Sequence, residues 1–295
     1  MKNAAKSLNI IGAGRVGRTL GALWSRSGHF AIQDVLCRTP MSAQAAVDFI
    51  GAGEPVEALS GMRTADVWLI ATPDAQVAAF CDSLAHEHTL RAHDIVFHCS
   101  GSLPASELAA ASRRGAHVAS VHPLKTFADP AEAVRTFSGT YCIAEGEHAA
   151  LALMRAAFEA IGGRFTEIAP AHKPLYHAAG VMACNYLVAL IESGLRCYEQ
   201  VGLERDVALQ MMESLVRETV DNVFRMGTAR ALTGPIARGD VPVVARHVDL
   251  LRARNGDLAG IYCALGVIAV ELAREAGVDH TRLDAIESLL RRAPD

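Results

Sequence analysis

The feature that most restricts this chain lies close to its beginning. Leu8-Asn9-Ile10-Ile11 is a short apolar run that ends in Gly12-Ala13-Gly14-Arg15-Val16-Gly17. A helical pattern follows at once through Leu20, Leu23 and Trp24, and it stops near Gly28. Strand, glycine turn and helix in that order answer three physical needs. Gly12 makes the tight turn, Gly14 lets the backbone approach a pyrophosphate, and Gly17 lets the helix pack closely on the strand. The pyrophosphate then rests on unpaired N–H groups at the helix N-terminus. Gly12, Gly14, Arg15, Val16 and Gly17 are therefore the expected contacts of a dinucleotide. Without the flanking strand and helix the same glycines would read as a plain turn.

The next strand, Ala31 to Cys37, ends in Arg38-Thr39. An acid at this strand end binds the ribose 2′-hydroxyl of NAD. Here a cation and a hydroxyl follow Cys37, a pair suited to a 2′-phosphate, so Arg38 and Thr39 favour NADP over NAD. Read alone, Arg38 is a solvated surface charge. Asp34 falls too early and lies inside the strand. Further apolar strands alternate with helices: Asp66 to Ala71 before Thr72-Pro73-Asp74, and Asp94 to Cys99 before Ser100-Gly101-Ser102. Ala116 to Val121 then precedes His122-Pro123-Leu124-Lys125-Thr126-Phe127, and strands near Thr140 to Ala144 and Arg164 to Ile168 follow. This alternation predicts α/β architecture with a doubly wound, mainly parallel sheet, a Rossmann domain over residues 1–169. Ligands of such sheets bind beyond the carboxyl ends of the strands. Thr72, Pro73, Ser100 and Gly101 are thus expected to flank the nicotinamide end of the cofactor.

From Pro174 onward the pattern is almost wholly helical, and residues 170–295 are expected to form an all-α domain. Pro174 to about Gln200 reads as one helix, apolar on every side from Tyr176 to Ile191, and so expected to be buried on every side. At 100° per residue, Lys173, His177, Asn185 and Glu192 share one side of it. Buried His and Asn need partners, and a cleft facing the cofactor would supply a reason for His177 and Asn185. Simple hydrogen bonding inside a core is the alternative. A second polar concentration, Leu232-Thr233-Gly234-Pro235-Ile236-Ala237-Arg238-Gly239-Asp240, precedes another helix. Asp240 suits an N-cap, His247 reads as a core histidine, and Arg238 can bind a carboxylate bidentately. Lys173, His122, Asp240 and His247 stay open between functional and structural roles.

Composition narrows the function classes. Of 295 residues, 51% are hydrophobic and 20% charged, which excludes intrinsic disorder, and a net charge of −4 argues against nucleic-acid partners. The first residues lack the apolar stretch of a signal peptide. The Tyr176–Ile191 run is shorter than the roughly 20 residues a bilayer needs. A soluble, cytoplasmic protein with no membrane association is expected. The seven cysteines show no paired or zinc-ligand spacing, so reduced, mostly buried thiols and no metal are expected. A helix apolar all round also calls for a homodimer through it.

GAGRVG, HPLKTF at 122–127, YHAAGVMACN at 176–185 and LTGPIARGD at 232–240 occur in this order. In them the chain resembles bacterial proteins that join a Rossmann-like domain to a helical domain of unknown function, within the 6-phosphogluconate-dehydrogenase-like superfamily. The resemblance implies an NADPH-dependent reductase of a small oxo acid or imine, with some relatives acting as alternative ketopantoate reductases. Those enzymes' lysine and asparagine one turn apart are not reproduced here, because His177 stands four residues after Lys173. His177 is then the expected general acid, Asn185 the group that orients the oxo oxygen, and Arg238 or Lys125 the carboxylate anchor. Rival readings are an imine reductase resembling pyrroline-5-carboxylate reductase and a non-enzymatic NADPH sensor.

Overall fold

A computed structural model describes residues 5–87 and 89–292. Residues 1–4, part of the segment inspected for a signal peptide, lie outside the described residues, as do 293–295 at the end of the expected helical domain. The chain divides into two compact units, the first running through Met182 and the second starting at Ala183.

The first unit alternates strands and helices: β1 (Lys6–Ile11), α1 (Arg15–Ser27), β2 (Phe30–Leu36), α2 (Pro40–Ile50), β3 (Glu54–Val56), β4 (Val67–Ile70), α3 (Asp74–His86) and β5 (Ile95–His98). It continues with α4 (Ala109–Arg113), β6 (His117–Pro123), α5 (Pro130–Arg135), β7 (Tyr141–Gly146), α6 (His148–Glu159), β8 (Arg164–Glu167) and α7 (Lys173–Gly180). The eight strands form one sheet in the order β3-β2-β1-β4-β5-β6-β7-β8. All pairings are parallel except β6 with β7. The strand β3, too short to show an apolar period, escapes a reading of the sequence.

Side-chain alternation builds a core on each face. Leu8, Ile10, Val67, Leu69, Ile95 and Phe97 face α1 and α6 on one side. Ile11, Trp68, Ile70 and Val96 pack with Val77, Cys81 and Leu84 of α3 on the other. Trp24 centres the first core, edge-on to Phe30, Phe97 and Phe158 at centroid distances of 5.3, 6.1 and 5.2 Å. Its indole N–H donates to the Ala157 carbonyl at 2.9 Å, so the buried polar atom is satisfied. Asp34 is indeed inside β2 and buried, where it accepts the Arg63 backbone N–H at 2.6 Å and its guanidinium at 2.6 and 3.0 Å.

The second unit is helical. A π-helical turn, Val181–Asn185, carries the chain across the division into α8 (Tyr186–Gln200). There follow α9 (Arg205–Met226), α10 (Thr228–Ala231), α11 (Gly234–Ala237), α12 (Val241–Arg254), α13 (Gly256–Glu275) and α14 (His280–Arg291). Ile236, Val244, Val248, Val270, Leu283, Ile286 and Leu290 form its core.

Three expectations need correction. The long helix is not buried on every side: from Lys173 to Gln200 only Lys173 and Leu195 are buried, and Tyr186 and Val188 are 60% and 69% exposed. The apolar pattern marks an exposed face. The helical stretch is also longer than the apolar run inside it. The 31 residues from Pro170 to Gln200, and α13, are each long and apolar enough to cross a bilayer. The thiols are all free, but only Cys81 and Cys142 are fully buried, and Cys184 is exposed.

Replacing Trp24 with alanine empties the centre of the first core and orphans the Ala157 carbonyl. The expected loss is about 3–5 kcal/mol, read as a lowered urea midpoint, and a loss under about 1 kcal/mol would contradict this account of the core.

Candidate active site

At the carboxyl end of β1 the glycines do what their spacing requires. Gly12 has φ +85°, donates its N–H to Leu36 O at 2.8 Å, and a Cβ there would come within 2.7 Å of Thr72 Cγ2. A Cβ on Gly17 would meet the Gly12 carbonyl at 2.8 Å. Gly14 caps α1 and has nothing within 4 Å of where its Cβ would stand, so the space outside it is open. Arg15 is exposed at the first turn, and Val16 packs partly on the core. The Thr72 hydroxyl is buried with no hydrogen-bond partner among the described residues, an omission that ordinarily costs about 1–3 kcal/mol. A free helix N-terminus, an open glycine and an unpartnered hydroxyl fit a dinucleotide pyrophosphate and its ribose.

Beyond β2, Arg38 is exposed. Thr39 is engaged as the N-cap of α2, its hydroxyl accepting from Ser42 N at 3.2 Å. The cap leaves Arg38 as the principal donor at that strand end. Pro73 caps α3 and is exposed.

The loops after β4 and β5 are joined by one oxygen. Asp74 Oδ2 accepts from the Ser100 hydroxyl at 2.7 Å and the Ser102 hydroxyl at 2.8 Å. Ser100 Oγ in turn accepts the N–H groups of Ser102 and Leu103 at 3.2 and 3.0 Å. Behind this loop His98 is wholly buried. Its Nε2 faces the Pro104 carbonyl at 3.2 Å, and its Nδ1 receives the Ser100 N–H at 3.1 Å. A carbonyl can only accept, so the proton sits on Nε2. Burial pushes the His98 pKa down to about 4, with Lys173 adding to the effect, and the ring is neutral at pH 7.

Helix α7 lies on this edge through three residues of its first turns. Lys173, 1% exposed, donates from Nζ to Ser120 Oγ on β6, and its Nζ stands 3.6 Å from Glu145 Oε1 on β7. Ser120 and Glu145 face each other in the β6–β7 register, and Glu145 also accepts the Ala105 N–H at 2.6 Å. Burial lowers the Lys173 pKa, and Glu145 opposes that shift. The Tyr176 hydroxyl lies 2.8 Å from His122 Nδ1 at the end of β6. His177 rests against Gly101, which is buried and where a Cβ would fall 2.7 Å from His177 Nδ1 and 2.9 Å from His122 Cε1. The two histidine rings are 6.3 Å apart. This edge therefore holds an imidazole pair, a phenol and a buried amine, with a glycine whose missing Cβ makes room for the two rings.

Of the residues singled out from sequence, the structure brings Thr72, Ser100, Gly101 and His177 to this edge of the first unit. Lys125 is diverted: its ammonium donates to the Thr136 carbonyl at 3.0 Å, the C-cap of α5. Asn185 and Arg238 belong to the second unit, and both are exposed there. The shared helical phase of His177, Asn185 and Glu192 does not carry through, because the π turn at 181–185 uses more residues per turn than the 100° count allows. Glu192 is occupied by surface ion pairs with Arg196 and Arg205. Asp240 is a helix cap, its Oδ1 accepting from Val243 N at 3.3 Å. His247 is not a core residue but exposed, bonded to the Tyr262 hydroxyl at 3.1 Å, because the α12 core is filled by Val244 and Val248. Sequence reading missed His98, Ser120, Glu145 and Tyr176. A charged Glu145 inside an otherwise apolar strand was the one available signal.

His98 makes stability pH-dependent with a definite sign. Its folded pKa lies below the unfolded value of 6.5, so the unfolded chain takes up the proton first, and stability present above pH 6.5 is lost as pH falls toward about 4. His122, also lowered to about 4 by burial, adds in the same direction. For His98 the loss approaches about 3 kcal/mol. His98→Gln, which keeps a donor toward Pro104, should flatten the decline in urea midpoint between pH 7 and pH 4.5. An identical decline in both proteins would refute this assignment.

Comparison with known proteins agrees with this construction. Residues 1–123 match the model of a Rossmann-like domain, and residues 140–268 match DUF2520, a domain of unknown function. No curated protein matches the chain in sequence. Among solved structures, protein TM1727 from Thermotoga maritima has a TM-score of 0.74 at 24% identity, over 91% of this chain and 99% of that one. BF3122 from Bacteroides fragilis, described as a candidate NADP oxidoreductase, has a TM-score of 0.69 at 22% identity over the same shares, 91% and 99%. A pyrroline-5-carboxylate reductase from Coxiella burnetii has a TM-score of 0.57 at 16% identity, over 92% and 98%. At these identities the likeness is one of fold. The chain thus carries a match to a Rossmann-like domain followed by a match to DUF2520.

Proposed function

We propose that this protein is an NADPH-dependent oxidoreductase that reduces the carbonyl of a small 2-oxo acid, in the manner of a ketopantoate reductase. One observation carries the reading: the glycine cradle and the His122–Tyr176–His177 cluster open on the same edge of one sheet. The nicotinamide, when bound, supplies the hydride. The chain's own residues hold the reactants in near-attack geometry and deliver the proton. Gly12, Gly14, Arg15, Val16 and Gly17 bind the pyrophosphate, and Thr72, Pro73, Ser100 and Gly101 flank the nicotinamide end. His177 is the proton source. From sequence, Asn185 is expected at the oxo group and Arg238 at the carboxylate. With no acid after Cys37 and an exposed Arg38, NADPH is favoured over NADH, and the name given to BF3122 supports that choice.

The likeness to the Coxiella reductase favours a second reading, reduction of a cyclic imine. A sensor that only binds NADPH has no use for titratable groups beside the cradle. The protein is further proposed to act as a soluble, cytoplasmic homodimer, its partner covering the exposed Met182, Tyr186, Leu187 and Val188. Sedimentation at micromolar concentration should return a dimer mass, and a monomer would remove this part of the reading.

The principal test follows absorbance at 340 nm with NADPH or NADH against 2-oxo acids, ketopantoate included, and cyclic imines. Oxidation of NADPH with an oxo acid is expected. Arg38→Ala should raise the KM for NADPH by about tenfold or more while leaving NADH little changed, the size expected for one charge-assisted contact. His177→Ala should lower kcat by about 10²–10⁴-fold, and full turnover would take His177 out of the mechanism.

A further inference from the structure

We infer that Tyr176 is a catalytic residue, oriented by His122, which donates a hydrogen bond to the oxygen of the substrate carbonyl, so that the site selects oxo compounds over protonated imines. The inference rests on the reductase reading above and narrows its substrate class.

The geometry begins at His122. Its Nδ1 is 2.8 Å from the Tyr176 hydroxyl, with the rings edge-on at 5.9 Å. The other edge of the imidazole lies against Gly101, where a Cβ would stand 2.9 Å from Cε1 and 3.1 Å from Nε2. No acceptor bonds Nε2 among the described residues. In the tautomer proposed here the ring's one proton sits on Nδ1 and points to the Tyr176 oxygen. Burial, Lys173 and His177 all hold the ring neutral at pH 7, with Asp74 opposing them. With its oxygen already accepting from His122, Tyr176 keeps its own O–H for a ligand. Burial keeps that phenol protonated through the physiological range.

A hydrogen-bond donor at this place suits one kind of reacting group. As hydride reaches a carbonyl carbon, the C=O electron pair collects on oxygen, and a fixed donor there stabilises the growing charge. A protonated imine presents an N–H instead and needs an acceptor. A phenol whose oxygen already receives the His122 proton is a poor partner for it. Tyr176 thus takes the orienting role that the sequence assigned to Asn185. His122 acts through Tyr176 as a positioning residue, and His177 remains the proton source.

The test compares the full-length wild type with Tyr176→Phe, His122→Ala, His122→Asn and the double variant Tyr176→Phe/His122→Ala. For a 2-oxo acid, Tyr176→Phe should lower kcat by about 10²–10³-fold, the cost of one such donor, with NADPH affinity by fluorescence unchanged. Calorimetry with oxamate on the NADPH-loaded protein should show about tenfold weaker binding, equal to one hydrogen bond of about 1.4 kcal/mol. His122→Ala should match Tyr176→Phe and add nothing in the double variant. His122→Asn, whose amide can replace the Nδ1–H, should recover much of the loss. Full turnover and oxamate affinity in Tyr176→Phe would overturn the inference while the reductase reading stands, as would a cyclic imine preferred over every oxo acid. A wild type that oxidises NADPH with nothing on the panel removes the reductase reading and this inference with it.

Discussion

A lysine ammonium taken out of water must be paired or lose its charge, and Lys173 is almost completely enclosed. The β6–β7 register places Ser120 and Glu145 opposite each other, and the amine settles between them. This contact decides where α7 begins relative to the sheet. Residues three and four further on share its helical face, so Tyr176 and His177 are delivered to the same edge. There they meet His122 and Gly101. Removing one partner of such a buried pair typically costs about 3–5 kcal/mol, so the placement of Tyr176 and His177 depends on this pair.

The topology explains why the glycine turn and the titratable groups share one edge. In the order β3-β2-β1-β4-β5-β6 the winding reverses between β1 and β4, and the loops leaving β1, β4, β5 and β6 all emerge at the carboxyl edge. The cradle comes from the first of these loops, Thr72 from the second, Ser100 and Gly101 from the third, and His122 from the end of β6.

The parts of this arrangement legible in the sequence are those set by local rules. Gly12 and Gly17 are readable because the close approach of strand and helix admits nothing larger, and Gly14 because it completes the same spacing. The seven strands with visible apolar patterns were likewise recoverable, and the cap was one of the two roles open for Asp240. What failed depends on partners distant in the chain. Lys125 has the composition of an anion anchor, but the C-terminus of α5 occupies it. The bond between His122 and Tyr176 joins residues 54 positions apart, and no periodicity announces it. The helical phase beyond His177 failed for a local reason, since a π turn has no clear signature in residue types. His247 shares a stripe with apolar residues, yet it lies outside the packed part of that stripe.

The oxygen of Asp74 that serves both Ser100 and Ser102 has a mechanical meaning. The turns after β4 and β5 descend from different strands, and each would otherwise settle by its own backbone preferences. Tied to one atom, they form a single rigid bracket: a force applied to one turn is felt at the other without passing through the core. Pro73, next to Asp74, is thereby tied to Ser100, whose neighbour Gly101 sits between the two histidines.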